Sequence, residues 1–228
     1  VLHRIVEAFV KNHPENETIA QARDRLMRVA DDIMAQEIPW PSARRLWHAR
    51  MDRIARTFVL AEARRRGRGV PLLLEEPGQI SLAGLGFTLT ARPDRIDQLA
   101  DGRVHIYDYK SGKPPTDKQM KIYDKQLLLE AAMAERGAFE ALGPRQVEGV
   151  TYIRLGGAGE EKTYDLASDR AGENWDGLIQ LISRYLTRDQ GYTARRAMFE
   201  TRFPGDYDHL ARFGEWEMQD PPKPQDVG

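Results

Sequence analysis

The amino-acid sequence predicts an α/β fold in which a central mixed β-sheet is flanked by helices, with an arginine-rich helical elaboration at the N-terminus. Three observations predict this class. Apolar residues recur at helical spacing through positions 1–66, the period then changes to about two, and strand and helix patterns alternate over 70–190. We therefore expect one domain over 1–217, in which a C-terminal extension (191–217) follows the core, and then a disordered tail over 218–228.

The N-terminal patterns predict three helices, because each apolar stripe stops at residues that break a helix. The first stripe starts at Leu2 and stops before Asn12-His13-Pro14. The second starts near Ile19 and stops at Pro39-Trp40-Pro41, after which Ser42 is the expected N-cap of the third helix.

The residue pattern over 70–190 predicts strands that alternate with helices. Asp101-Gly102, a dipeptide typical of two-residue hairpin turns, separates two of the strands. Thr116-x-x-Gln119 resembles a capping box and opens a helix that closes near Gly137. Strands are predicted at 70–76, 86–98, 103–110, 147–155 and 163–166, and a last amphipathic helix at 175–186.

Composition excludes several classes of protein. With 41% hydrophobic and 30% charged residues, the 228-residue chain has a globular balance. No apolar run approaches the roughly 18 residues that span a bilayer, so no membrane partner is expected. The chain has no cysteine, which excludes disulfides and an iron–sulfur cluster. It opens directly on a helical pattern with no initiator methionine and no secretion signal, so we expect a fragment of a larger protein.

The predicted hairpin brings two carboxylates together. Strand alternation places Asp108 and Lys110 on one face, and a turn at Asp101-Gly102 puts Asp94 across from residue 108 or 109. Adjacent carboxylates repel unless they share a proton or a cation, and hard oxygen ligands favour Mg²⁺ or Mn²⁺. Lys110 could then orient an attacking water or offset charge on a phosphate. From spacing alone, a solvated cross-strand pair neutralised by nearby arginines is an equal alternative.

These residues carry a resemblance to a known family. Pro93-Asp94 followed by Asp108-Tyr109-Lys110 resembles the PD-(D/E)XK nuclease signature, and the flanking residues resemble RecB-family exonucleases. The most similar branch is the C-terminal nuclease domain of AddB subunits in bacterial AddAB helicase–nucleases. His3 matches the N-terminal helix histidine of that branch, and Gln126 matches the start of its Q-x-x-x-Y motif. The similarity extends from His3 to about Trp216.

The resemblance implies a role for each matching residue. Asp94 and Asp108 would bind the metal, with His3 and the Tyr109 carbonyl as further ligands. Lys110 would act on the attacking water, and Gln126 would support the site or contact DNA. Without the family context, His3 is an ordinary half-buried histidine.

The sequence also departs from the family pattern. Glu130 replaces the motif tyrosine, and the four cysteines that hold an iron–sulfur cluster in many relatives are missing, which implies a cluster-free lineage. Aromatic packing around Tyr207, His209, Phe213 and Trp216 could hold the C-terminal segment instead.

Arginine is concentrated between positions 44 and 68. Nine arginines face only Asp52 and Glu62 there, although the whole chain has a net charge of −1. This stretch suits a phosphate backbone or an acidic partner surface, and we place the DNA contacts at Arg64, Arg65 and Arg66. A solvated helix face is the alternative.

The resemblance implies a magnesium-dependent DNA exonuclease domain of a cytoplasmic, nucleoid-associated bacterial helicase–nuclease. It would act in double-strand-break processing on single-stranded DNA delivered by an AddA-like partner subunit. The alternative is an inactive PD-(D/E)XK-like module that binds DNA or serves as a scaffold. Retention of Asp94, Asp108 and Lys110 favours the enzyme, because a scaffold has no physical need of that trio.

Overall fold

The computed structural model describes residues 1–156, 159–166, 170–191, 209, 212, 215–217 and 219–221. They fall into two units, Val1–Asp176 and Gly177–Gly228, and the sheet lies in the first. In chain order the elements are α1 (Leu2–Lys11), α2 (Ile19–Glu37), α3 (Pro41–Arg68), β1 (Gly69–Leu74), β2 (Gly78–Leu82), β3 (Phe87–Ala91), β4 (Arg95–Leu99), β5 (Val104–Lys110), α4 (Asp117–Ile122), α5 (Gln126–Glu135), β6 (Val147–Arg154), β7 (Glu161–Asp165) and α6 (Arg170–Tyr185).

The central sheet has five strands in the order β1-β4-β5-β6-β7. The pair β5–β6 is parallel, and the other neighbours are antiparallel. Strands β2 and β3 form a separate two-stranded sheet. Helices flank this mixed sheet, which confirms the predicted α/β class.

The two faces of the sheet are covered by different helices. Helices α1, α2 and α3 bury their apolar stripes in one cluster, which includes Phe9 and Phe58 and extends to Tyr107 and Tyr109 of β5. Helix α5 packs against β5 and β6, and its residue Gln126 contacts the alternate β5 side chains Asp108 and Lys110. Strand alternation therefore separates the face that packs on the three N-terminal helices from the face that carries Asp108 and Lys110.

Several local predictions need correction. The strand expected at 86–98 is split by Arg92–Asp94, because Pro93 cannot donate a ladder hydrogen bond and the chain changes partners from β2 to β1 and β5. The hairpin loop has three residues, since Leu99 N donates to Arg103 O (2.9 Å) and Gly102 has φ +84°. The third helix begins at Pro41, with Trp40 rather than Ser42 as N-cap.

The helix predicted from Thr116 is two helices. Its capping box is present, with the Thr116 side chain accepting from Gln119 N (3.3 Å), but α4 ends at Ile122 and α5 begins at Gln126. No helix in the described ranges has the length and apolar character that a bilayer crossing requires. Most of the predicted C-terminal extension and tail, with Tyr207 and Phe213, lies outside the described residues.

Candidate active site

Strand register brings Asp94 beside the end of β5. Arg95 pairs with Tyr107, so Asp94, in the bend before β4, lies at the level of Asp108. The Asp94 Oδ2 atom accepts a hydrogen bond from the Tyr109 amide at 2.6 Å. The cross-strand juxtaposition expected from the hairpin is thus present, although the loop is one residue longer than predicted.

Asp108, Lys110 and Gln126 form one hydrogen-bonded group. Lys110 Nζ lies 3.0 Å from Asp108 Oδ1 and 3.2 Å from Gln126 Oε1. The Gln126 amide nitrogen donates to Asp108 Oδ1 at 3.0 Å. Asp108 is only 3% exposed, so its charge is compensated mainly by Lys110. The group supplies a fixed cation beside a buried carboxylate.

Glu130 adds a second buried carboxyl group behind Gln126. Its Oε1 accepts from Gln126 Nε2 at 3.2 Å, while its Oε2 is buried without a hydrogen-bond partner. Burial is the main cause that raises the pKa of Glu130 to about 8. The Gln126 amide therefore bridges Asp108 and Glu130, which leaves its oxygen facing Lys110.

His3, Glu75 and Asp94 converge on the other side of Asp94. His3 Nδ1 lies 3.5 Å from Asp94 Oδ1 and 3.9 Å from Glu75 Oε1. His3 Nε2 lies 2.7 Å from the Tyr109 carbonyl and donates to it, because a carbonyl can only accept. In the neutral imidazole, the Nδ1 lone pair then faces two carboxylates. Arg92 Nε lies 3.3 Å from Glu75 Oε2 and already balances that carboxylate. A proton or a metal cation between His3 Nδ1 and Asp94 would relieve the repulsion that is left.

The electrostatics of Asp94 fit the same conclusion. Burial is the largest cause that raises the pKa of Asp94 to about 6, and the charges of Asp108 and Glu75 raise it further. The hydrogen bond from Tyr109 and the nearby His3 act in the opposite direction. A divalent cation beside Asp94 would favour the charged form of its carboxyl group, because the cation opposes the effect of burial.

The donor set fits a hard divalent cation. Ligand atoms of His3, Glu75 and Asp94 all lie within 4.8 Å of one another. Carboxylate oxygens with one imidazole suit Mg²⁺ or Mn²⁺. Of the other predicted ligands, Asp108 is paired with Lys110, and the Tyr109 carbonyl is engaged by His3. The metal roles of His3, Asp94, Asp108 and Tyr109 remain predictions.

Glu75 was not assigned a role from the sequence. It follows β1 with a φ of +54°, and its amide donates to the Asp94 carbonyl at 3.2 Å. A non-glycine residue in the left-handed region is uncommon and is a useful signal at functional sites. That signal is invisible in the sequence, where Glu75 reads as the end of a strand.

The three arginines of α3 predicted to contact DNA lie in different surroundings. Arg64 is exposed, but Arg65 is 4% exposed and donates to Glu62 (3.0 Å) and Glu161 (2.5 Å). Arg66 pairs with Glu62 and donates to the Val10 carbonyl. Arg65 and Arg66 are therefore engaged by acidic groups of the same chain, whereas Arg64 faces solvent. DNA contact at these three residues stays a prediction.

The two paired arginines belong to a buried ion-pair network between α3 and the sheet. Arg95, with no exposed surface, donates two bonds to Asp97 (2.5 and 2.7 Å) and one to Glu62 (2.6 Å). Arg95 also donates to the Tyr109 hydroxyl at 3.3 Å. Because Arg95 adjoins Asp94 and Tyr109 adjoins Asp108, the network anchors the backbone on both strands of the site.

Comparison with known proteins identifies the class. A family model described as the PD-(D/E)XK nuclease superfamily matches residues 1–209. The chain therefore belongs to the PD-(D/E)XK nuclease superfamily.

Individual relatives are distant. An uncharacterized protein of Rickettsia bellii (strain RML369-C) is 21% identical over 204 residues, which covers 81% of this chain and 24% of the relative. The uncharacterized protein RT0391 of Rickettsia typhi (strain ATCC VR-144 / Wilmington) is 24% identical over 144 residues, or 60% of this chain and 17% of the relative. The chain thus spans less than a quarter of these relatives. The crystal structure of SSO0001 aligns at 14% identity and TM-score 0.31, covering 79% of this chain and 84% of that chain.

Proposed function

We propose that this domain is a divalent-metal-dependent DNA exonuclease that hydrolyses phosphodiester bonds. One observation carries the proposal: Asp94, Asp108 and Lys110 lie together at one end of β4 and β5, beside His3, Glu75 and Gln126. Mg²⁺ or Mn²⁺ is the proposed metal. Membership of the nuclease superfamily supports DNA as the substrate.

The chain's residues would divide the chemistry. His3, Glu75, Asp94 and Asp108 would hold the ion, which when bound supplies a water of lowered pKa and neutralises charge on the phosphate. Lys110 would offset the negative charge that develops on the phosphate oxygens in the transition state. Gln126 holds Lys110 in place by accepting from Nζ.

We further propose a biological setting on the basis of sequence resemblance alone. In this setting the domain is the AddB-like nuclease of a bacterial helicase–nuclease with an AddA-like partner subunit. It would digest single-stranded DNA during double-strand-break repair in the cytoplasm, at the nucleoid.

The test is cleavage of a labelled single strand in Mg²⁺ by Asp94→Asn and Asp108→Asn variants. Each variant should lose cleavage and keep its fold, because neutralising one of two adjacent carboxylates lowers their repulsion. Circular dichroism and thermal melting control for folding. Asp101→Asn, in the exposed hairpin loop, is the matched control and should cleave like the wild type. Wild-type turnover in either site variant would contradict the assignment of that aspartate to the active site. No cleavage by the wild type would favour the inactive DNA-binding module.

A further inference from the structure

A cluster of lysines lies beside the candidate active site and has no part in the mechanism above. We define the lysine patch as Lys113, Lys118, Lys121 and Lys125, which lie on α4 and the loops flanking it. The first three are exposed. None of those three forms an ion pair with another residue of the described part of the chain.

The acids nearest to the patch are already engaged. Asp117 pairs with Lys162 at 2.9 Å and accepts from the Tyr164 hydroxyl at 3.0 Å. Asp124 accepts from the Tyr152 hydroxyl at 2.9 Å. Lys162 balances Asp117, whereas a neutral hydroxyl leaves the charge of Asp124 in place. The four lysines of the patch therefore outnumber the one nearby carboxylate that has no other cation as partner.

Along the chain, the lysine patch adjoins the hydrogen-bonded group of Asp108, Lys110 and Gln126. Lys125 Nζ donates to the Lys121 carbonyl at 2.8 Å, and the next residue, Gln126, contacts Asp108 and Lys110. Lys113 lies in the loop after β5, three residues beyond Lys110, the last residue of that strand. A chain of phosphates across the patch would lead to Lys110.

Two apolar side chains on the same segment offer surface to bases. Ile122 is 51% exposed and Tyr123 is 40% exposed, between Lys121 and Lys125. Single-strand binding surfaces combine cations that follow the backbone with aromatic side chains on which unpaired bases stack. Bases in a duplex are already stacked and cannot use such a surface.

We propose that the lysine patch binds the phosphate backbone of a single DNA strand and directs it to Asp94, Asp108 and Lys110. This deepens the proposed nuclease function and rests on it. It also moves the DNA contact from α3, where Arg65 and Arg66 are paired internally, to the α5 side of the sheet.

The test is the salt dependence of binding to a labelled oligothymidylate, measured by fluorescence anisotropy in EDTA so that no cleavage occurs. Lys118→Gln/Lys121→Gln should lower the slope of log affinity against log salt by about 1.4, or about 0.7 for each lost phosphate contact. Affinity at 0.1 M salt should then fall on the order of twentyfold. The matched control is Arg53→Gln/Arg56→Gln, which removes the same charge from exposed positions on α3. This control should keep the wild-type slope.

The outcomes separate the patch from the proposed function. An unchanged slope in the lysine variant, or an equal loss in the α3 control, overturns the patch even if the wild type cleaves DNA in Mg²⁺. A slope change seen with duplex but not with single-stranded DNA overturns the single-strand assignment. A wild type that cleaves nothing while the lysine variant still shows the lowered slope contradicts the nuclease function and leaves the patch standing.

Discussion

Replacement of Glu130 by glutamine should stabilise the protein, and by an amount that depends on pH. Glu130 is 4% exposed, and its Oε2 atom is buried without a hydrogen-bond partner. Glutamine has the same shape and can still accept from Gln126 through its side-chain oxygen. The substitution therefore removes the ionisable group and keeps the contact seen in the structure.

The expected magnitude follows from the pKa difference of Glu130. Burial raises the pKa from 4.5 to about 8 in the folded chain. Between these values the folded state holds a proton that the unfolded state has lost, so stability falls as pH rises. Each pH unit costs about 1.4 kcal/mol, which gives about 3 kcal/mol at pH 7 and about 5 kcal/mol above pH 8. Below pH 4.5, Glu130→Gln and the wild type should have similar stability.

Thermal melting in EDTA from pH 4 to pH 9 measures this effect without a bound metal. At about 2–4 °C per kcal/mol for a domain of this size, the Tm of Glu130→Gln should exceed that of the wild type by about 6–12 °C at pH 7. Exposed Glu140→Gln is the matched control and should give a Tm difference near zero at every pH. A Glu130→Gln advantage that is absent, or that does not grow between pH 5 and pH 8, would refute a buried neutral carboxyl group.

Three further substitutions test separate parts of the structure. Lys110→Ala should abolish or severely slow cleavage but leave Mn²⁺ affinity unchanged or higher in isothermal titration, because a cation is lost beside the ion. Glu75→Gln should weaken Mn²⁺ binding in the same titration without lowering the Tm, since one of three convergent carboxylate and imidazole ligands becomes neutral. Glu62→Gln should lower the free energy of unfolding by about 3–5 kcal/mol in urea titrations, because it leaves the fully buried Arg95 short of a counter-charge.

For each of these three predictions, one result would contradict it. Loss of metal binding in Lys110→Ala would make Lys110 a structural residue. Wild-type Mn²⁺ affinity in Glu75→Gln would exclude Glu75 from the ligands, and the neighbouring Glu76→Gln serves as the control. For Glu62→Gln, a destabilisation no larger than that of a surface variant such as Glu140→Gln would mean that the buried network adds little to stability.

The parts of the site that lie close in sequence could be predicted, whereas the long-range parts could not. Asp94, Asp108 and Lys110 flank one hairpin, so strand alternation and the position of the turn place them together, although the loop has three residues rather than two. His3 reaches the site only because α1 packs on the sheet. No local sequence pattern indicates this long-range packing. His3 was predicted from the family resemblance, and its ring lies beside Asp94 in the structure.

The internal pairing of Arg65 and Arg66 could not be predicted from the arginine stretch, for a specific reason. Charged side chains on a long helix usually face solvent, but α3 packs along the sheet and buries part of its charged surface. Glu62 lies three and four residues before Arg65 and Arg66, the spacing of ion pairs within a helix. That spacing was the available signal for internal pairing, but nothing in the sequence indicated that Arg95 would complete the network.

Side chains alternate between the two faces of β4 and β5, so buried residues that fix the backbone lie next to residues of the candidate site. Tyr109 and Arg95 point into the buried layer on the α3 side, where they join the ion-pair network. Asp108 and Lys110, the neighbours of Tyr109, point to the opposite face, where α5 meets them. Asp108 and Lys110 therefore each lie next to Tyr109, a side chain whose position is fixed by buried contacts. The proposed substrate strand would therefore have to reach Asp108 and Lys110 from the face where α5 packs, because the N-terminal helices cover the opposite face.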